Sequence, residues 1–167
     1  MKHLLLKVLA LVFLPAVASA ADLDISSAGQ NDAEATKLLY RFAEDIGSAV
    51  SKLKPDSEFF ALNQNGVKML IDVKASSSGV DRAVARIFFT GKKEHANSAD
   101  MHKLLAKLNR TYNTCTFSID SDGDICFVFV LSFDNRVSPK LFRLWCEHVS
   151  QCTQTIISNE TELKKNF

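Results

Sequence analysis

Four cysteines (Cys115, Cys126, Cys146 and Cys152) and three histidines beyond the first twenty residues (His95, His102 and His148) are the side chains here with the widest chemical range. Thiols and imidazoles can exchange disulfides, hold zinc or act as nucleophile and base. Cys115 and Cys126 also bracket the run Asp120-Ser121-Asp122-Gly123-Asp124, whose alternating oxygen ligands invite a hard cation.

Spacing removes most of these possibilities. An EF-type calcium loop needs Gly at its sixth position and Glu at its twelfth; counted from Asp120, Gly is fourth and Leu131 twelfth, so the aspartates read as a solvated turn. Cys146 and His148 on one helix point about 200° apart and do not share a metal. Cys-x-x-Cys, Gly-x-Ser-x-Gly, His-Glu-x-x-His and a phosphate-binding glycine loop are all missing from the sequence. Asp56, Glu58 and the pair Glu44-Asp45 read as solvated charges. The sequence therefore points to no catalytic, metal-binding or cofactor-binding set, and to a protein that is not an enzyme.

The cysteines still allow disulfides. Cys146 and Cys152 are six residues apart, about 9 Å along a helix, which is beyond a disulfide's reach. Cys115 with Cys152, both at expected core-facing positions, is the favoured bridge. The other reading keeps the thiols reduced and buried as small apolar side chains.

The chain opens MKHLLLKVLALVFLPAVASA: a basic start, an apolar run interrupted by Pro15, and Ala18-Ser19-Ala20 before Ala21. This reads as a signal peptide cleaved after Ala20, with the mature protein periplasmic or secreted and not stably anchored in a membrane. In such a compartment disulfides persist. What remains is long enough for one domain with a real core. The net charge of +1 falls slightly below zero once Lys2 and Lys7 leave, and no basic block suggests nucleic acid.

Apolar residues Leu38, Leu39, Phe42, Ile46, Ala49, Val50 and Leu53 recur at helical steps, predicting a helix over Ala33–Leu53 capped by Asp32 and stopped by Pro55. Strands follow over Glu58–Leu62 and Val67–Val73, joined through Asn65-Gly66, and a third over Ala83–Thr90 after Ser76-Ser77-Ser78-Gly79. The polar run 91–97 is a loop. Ser98 caps a second helix with Met101, Leu104, Leu105 and Leu108 on one side. Ser138-Pro139 opens a final helix with the expected inward stripe Leu141, Leu144, Trp145, Val149, Cys152 and Ile156. The class is α+β, ordered α-β-β-β-α-β-β-α, with helices on an antiparallel sheet. Residues 32–157 form the domain; 21–31 and the polar tail 158–167 are expected to be loosely held.

The last hairpin has two competing registers, and a one-residue slip would turn each strand over. A loop of Ser121-Asp122-Gly123, closed by Asp120 and Asp124, puts Gly123 at a left-handed position and sorts the faces. Cys115, Phe117 and Ile119 then share the core side with Ile125, Phe127, Phe129, Leu131 and Phe133. Thr114, Thr116 and Ser118 line up with Cys126, Val128 and Val130 on the other side. The rival two-residue Asp122-Gly123 turn mixes these sets.

Residues 107–149 resemble the C-terminal half of the YbjN-domain family, putative bacterial sensory-transduction regulators. The likeness rests on a helix ending Leu108-Asn109, a second Asn113, a strand ending Ile119-Asp120, the Asp122-Gly123 turn, a long apolar strand, and Val137-Ser138 before the last helix. The resemblance implies a type III secretion chaperone-like fold and a non-catalytic module that binds a protein segment, or a second copy of itself, on an exposed apolar face. Its counterpart here would be Thr114, Thr116, Cys126, Val128 and Val130. The competing expectation is a small secreted enzyme or thiol-redox protein that uses the cysteines.

Overall fold

The computed structural model describes residues 21–51, 57–77, 79–90, 98–120, 122–161 and 163. The expected signal segment 1–20, the helix end at Leu53 with Pro55, Asp56, Ser78, the stretch 91–97 with His95, Ser121 and the last four residues lie outside them.

Three helices pack on an antiparallel sheet, an α+β fold. The elements are β1 (Leu23–Asp24), α1 (Asp32–Asp45), β2 (Phe60–Gln64), β3 (Val67–Lys74), β4 (Asp81–Phe89), α2 (Ala99–Thr111), β5 (Thr116–Ile119), β6 (Ile125–Phe133), β7 (Arg136–Val137) and α3 (Pro139–Asn159). Strands β2-β3-β4-β6-β5 form one sheet in that spatial order, and β1 pairs with β7 in a second, two-stranded one. The inner sheet face, including Met69, Ile71, Ala85, Phe127 and Phe129, forms one apolar cluster with Leu39 of α1, Leu108 of α2, and Phe142 and Val149 of α3.

Local chemistry explains most boundaries. Asn31 caps α1, its side-chain oxygen accepting from the amides of Ala33 and Glu34, one residue ahead of the expected Asp32. Ser98 and Ser138 cap α2 and α3 through the amides of Met101 and Leu141, with Pro139 at the start of α3. Asn65 (φ 51°) and Gly66 (φ 80°) make the two-residue turn that pairs Gln64 with Val67.

The first helix is shorter than its apolar period suggests. Gly47 adopts φ 76°, its amide donates to Glu44 and that of Ser48 to Ala43, which closes the helix with a left-handed C-cap. Val50 then bridges to Leu62, and the amides of Ser51 and Asn63 donate to the carbonyls of Ala61 and Ala49, so this segment runs along the outer edge of β2.

The described residues of both segments expected to be loose are held. β1 pairs with β7, Ile25 is buried, and its amide donates to the Asn135 carbonyl. At the other end α3 continues to Asn159, Glu160 is bonded to α2, and Leu163 is fully buried in the core. Apolar side chains brought to the core outweigh the polar composition of these segments.

The inward stripe of α3 is also rotated from expectation. Phe142, Trp145, Cys146, Val149, Ser150, Thr153 and Ile156 are buried, whereas Leu141 and Leu144 are 41% and 53% exposed. Turning Phe142 inward lets its ring meet Phe42 of α1 at 6.0 Å, a larger apolar contact than Leu141 or Leu144 would bring. Cys152 is thereby carried to the edge of the stripe and is only half-buried.

Candidate functional site

The hairpin register decides what each face of the sheet carries. Ile119 pairs with Ile125, Phe117 with Phe127, Ser118 with Cys126 and Thr116 with Val128, so the loop is the one closed by Asp120 and Asp124. The Asp120 amide donates to the Asp124 carbonyl, and Gly123 sits at φ 91°. Asp120 Oδ1 accepts from the amides of both Asp122 and Asp124 at 2.9 Å, so this carboxylate serves its own turn.

The outer face of the sheet carries Val84, Arg86 and Phe88 from β4, Cys126, Val128 and Val130 from β6, and Thr116 and Ser118 from β5. Val84 and Cys126 are buried by neighbours on this face and stand apart from the main apolar cluster. Phe88 is 41% and Val130 50% exposed. Thr114 does not join them. It lies in a bend before β5, outside the strand.

Four charged groups at this face, Asp32, Asp72, Lys74 and Arg86, pair with one another. The nearly buried Asp72 carboxylate accepts from Arg86 and lies 3.1 Å from Lys74 Nζ. Lys74 also reaches Asp32 at 3.1 Å; hydrogen bonds to Asp32 and Asp72 hold its ammonium above the ordinary 10.5. Beside this network Phe88 and Val130 are the exposed large apolar side chains of the face, with half-buried Val128 on the rung between them.

Both edges of the sheet are engaged. Asn109 of α2 behaves as a peptide group toward β5: its Oδ1 accepts from the Phe117 amide, and its Nδ2 donates to the carbonyls of Phe117 and Leu105, at 2.9 to 3.0 Å. Residues 49–51 cover β2 at the opposite edge.

The thiols are all free, and they differ in surroundings. Cys146 is buried in α3, and burial pushes its thiol up to about 12. Cys126 is raised by burial, with Arg86 opposing and Asp120 adding to the shift. Cys115 is half-buried just before β5; burial pushes it to about 12, the Thr114 hydrogen bond opposes this, and the charge of the neighbouring Cys152 adds to it. Cys152 Sγ lies 3.5 Å from Nε2 of His148, one helical turn earlier on the exposed side of α3.

The remaining residues considered for chemistry lie apart. His102 is on the exposed side of α2, and Glu44 accepts from the Tyr40 hydroxyl at 2.5 Å. Glu58 lines a shallow cleft of about 620 Å³ with Asn31, Asp32 and Lys74, where Lys74 and Asp32 are already paired. Among the described residues no three His, Cys, Asp or Glu side chains converge as a metal ion would require, and no helix is long and apolar enough to cross a membrane. The His148 partner of Cys152 was visible as an i, i+4 pair in the sequence, but only the rotation of α3 shows that this pair lies at the solvent edge.

Compared with known proteins, the chain matches no family model and no curated protein.

Proposed function

We propose that this chain is an exported, non-catalytic YbjN-like domain of type III secretion chaperone-like fold, working in the periplasm or outside the cell, that binds an apolar segment of another protein on the outer face of its sheet. The observation that carries this reading is the exposure of Phe88 and Val130 on one sheet face, with half-buried Val128 between their rungs and the paired charges of Asp72, Arg86 and Lys74 beside them. Large apolar side chains left exposed on one face favour a partner. The edges, by contrast, disfavour strand addition, because Asn109 already bonds the Phe117 backbone and residues 49–51 already bond β2.

The test compares wild type with Val130→Asp in co-purification from the envelope fraction of the source cells, alongside light scattering. A stoichiometric protein that wild type retains and the equally folded variant loses is the expected result. A monomer that retains nothing, or a partner that both forms retain equally, would sink the proposal; a dimer dispersed by Val130→Asp would replace the outside partner with a second copy.

A further inference from the structure

We propose that the segment bound on the outer sheet face is an acidic amphipathic helix, whose apolar side chains cover Val130 and Phe88 and whose flanking carboxylates meet Arg82 and Lys68. This rests on the reading above and names the chemistry of its partner. The rungs of the sheet place the groups. Lys74 of β3 pairs with Arg82 of β4, and Arg82 with Ser132 of β6. On the next rung of this face Asp72, Val84 and Val130 stand in line; the one after carries Leu70, Arg86 and Val128. Lys68 is exposed two residues before Leu70 and so shares the face. The strands thus bring Lys68, Lys74, Arg82 and Arg86 to the outer face against one carboxylate, Asp72.

Like charges directly opposite each other destabilise a sheet, and Lys74 beside Arg82 is such a pair. Lys74 is answered by Asp32 and Asp72, and Arg86 by Asp72. Arg82 and Lys68 are exposed and, among the described residues, form no ion pair. A carboxylate from outside relieves that rung. Val130 lies diagonally from Arg82 across β4 and β6, about 7 to 8 Å away. Side chains one helical turn apart are about 5 to 6 Å apart, and the long arginine side chain covers the difference. A helix that sets an apolar side chain on Val130 therefore brings its next turn over Arg82. Strand addition is closed off by the engaged edges. A second copy offers little to these cations, because its Asp72 is already paired and its Asp120 Oδ1 accepts from its own turn.

The experiment titrates the full chain into labelled helical peptides that share one leucine stripe and carry glutamate, glutamine or lysine beside it, with binding read by fluorescence anisotropy at low salt. The glutamate peptide is expected to bind tightest and the lysine peptide weakest. Arg82→Glu should weaken the glutamate peptide about tenfold and leave the glutamine peptide within about twofold, whereas Arg82→Lys keeps the charge and the preference. Salt at about 0.5 M should bring the glutamate and glutamine peptides together. Equal binding of those two at low salt, or a glutamate preference that Arg82→Glu leaves unchanged, would overturn the acidic partner while the apolar face stands. No peptide bound, or binding that Val130→Asp does not weaken, would remove the face itself and this inference with it, so the two failures are told apart. A dimer in light scattering that Val130→Asp disperses would assign the face to a second copy and likewise overturn the proposal. Arg82 is exposed, so its variants keep the fold even where Val130→Asp fails to.

Discussion

The same substitution, Thr to Val, should have opposite effects at two buried positions. Thr36 of α1 and Thr153 of α3 are each about 1% exposed. Pairing between β2 and β3 ends at Phe60 and Ile71, so Val73 lies beyond β2, and its amide donates instead to Thr36 Oγ1 at 2.9 Å. Thr36→Val keeps the shape and leaves that buried amide without an acceptor, a loss of about 2 kcal/mol. The Thr153 hydroxyl finds no hydrogen-bond partner among the described residues. Thr153→Val therefore removes an unsatisfied polar group, a gain of about 1 kcal/mol. Urea unfolding under reductant, followed by fluorescence of the single, buried Trp145, reads both. With a slope of about 2 kcal/mol per molar urea, the midpoint falls by about 1 M for Thr36→Val and rises by about 0.5 M for Thr153→Val. Midpoints that move in the same direction, or a Thr36→Val midpoint within about 0.2 M of wild type, would refute the hydrogen-bond accounting.

Asn109→Ala should cost about 2 kcal/mol and speed hydrogen exchange at the Phe117 amide, since the edge of β5 loses its stand-in peptide group; unchanged exchange there would contradict the role given to Asn109. Glu160 is held below its ordinary 4.5, first by the hydrogen bond from Lys107, with burial opposing and Tyr112 assisting. A carboxylate with a depressed folded value stabilises the fold above 4.5 and loses that contribution as pH falls through the folded value. The stability difference between wild type and Glu160→Gln should therefore shrink over that acid window, and a difference independent of pH from neutral down to strong acid would remove Glu160 from acid unfolding.

Where a boundary depends on a few neighbouring residues, the sequence is legible. The Asn65-Gly66 turn, the Ser98 and Ser138 caps and the Gly123 loop rest on backbone angles and side-chain bonds within a few positions, and each is where its residue type predicts. The outer-face register follows from the same loop, which is why Cys126, Val128 and Val130 stand with Thr116 and Ser118 as the alternation predicts. Thr114, expected beside them, falls outside because the strand stops short of it.

Other features depend on what lies opposite in space. Gly47 was in plain view, but helical spacing of Ala49, Val50 and Leu53 masked it, since residues near a helix end can serve equally as the start of an edge segment along β2. In α3 two stripes share Trp145, Val149 and Ile156, and the buried one is that which brings Phe142 against Phe42 of α1. By itself the sequence determined the Asn65-Gly66 and Gly123 turns, the Ser98 and Ser138 caps, the α+β class and the sorting of the last hairpin, because those are settled by local backbone and capping chemistry. Only the tertiary structure decided which side of α3 is buried, and with it that Cys152 and His148 meet at a solvent edge, because burial area is a property of the surfaces that face each other.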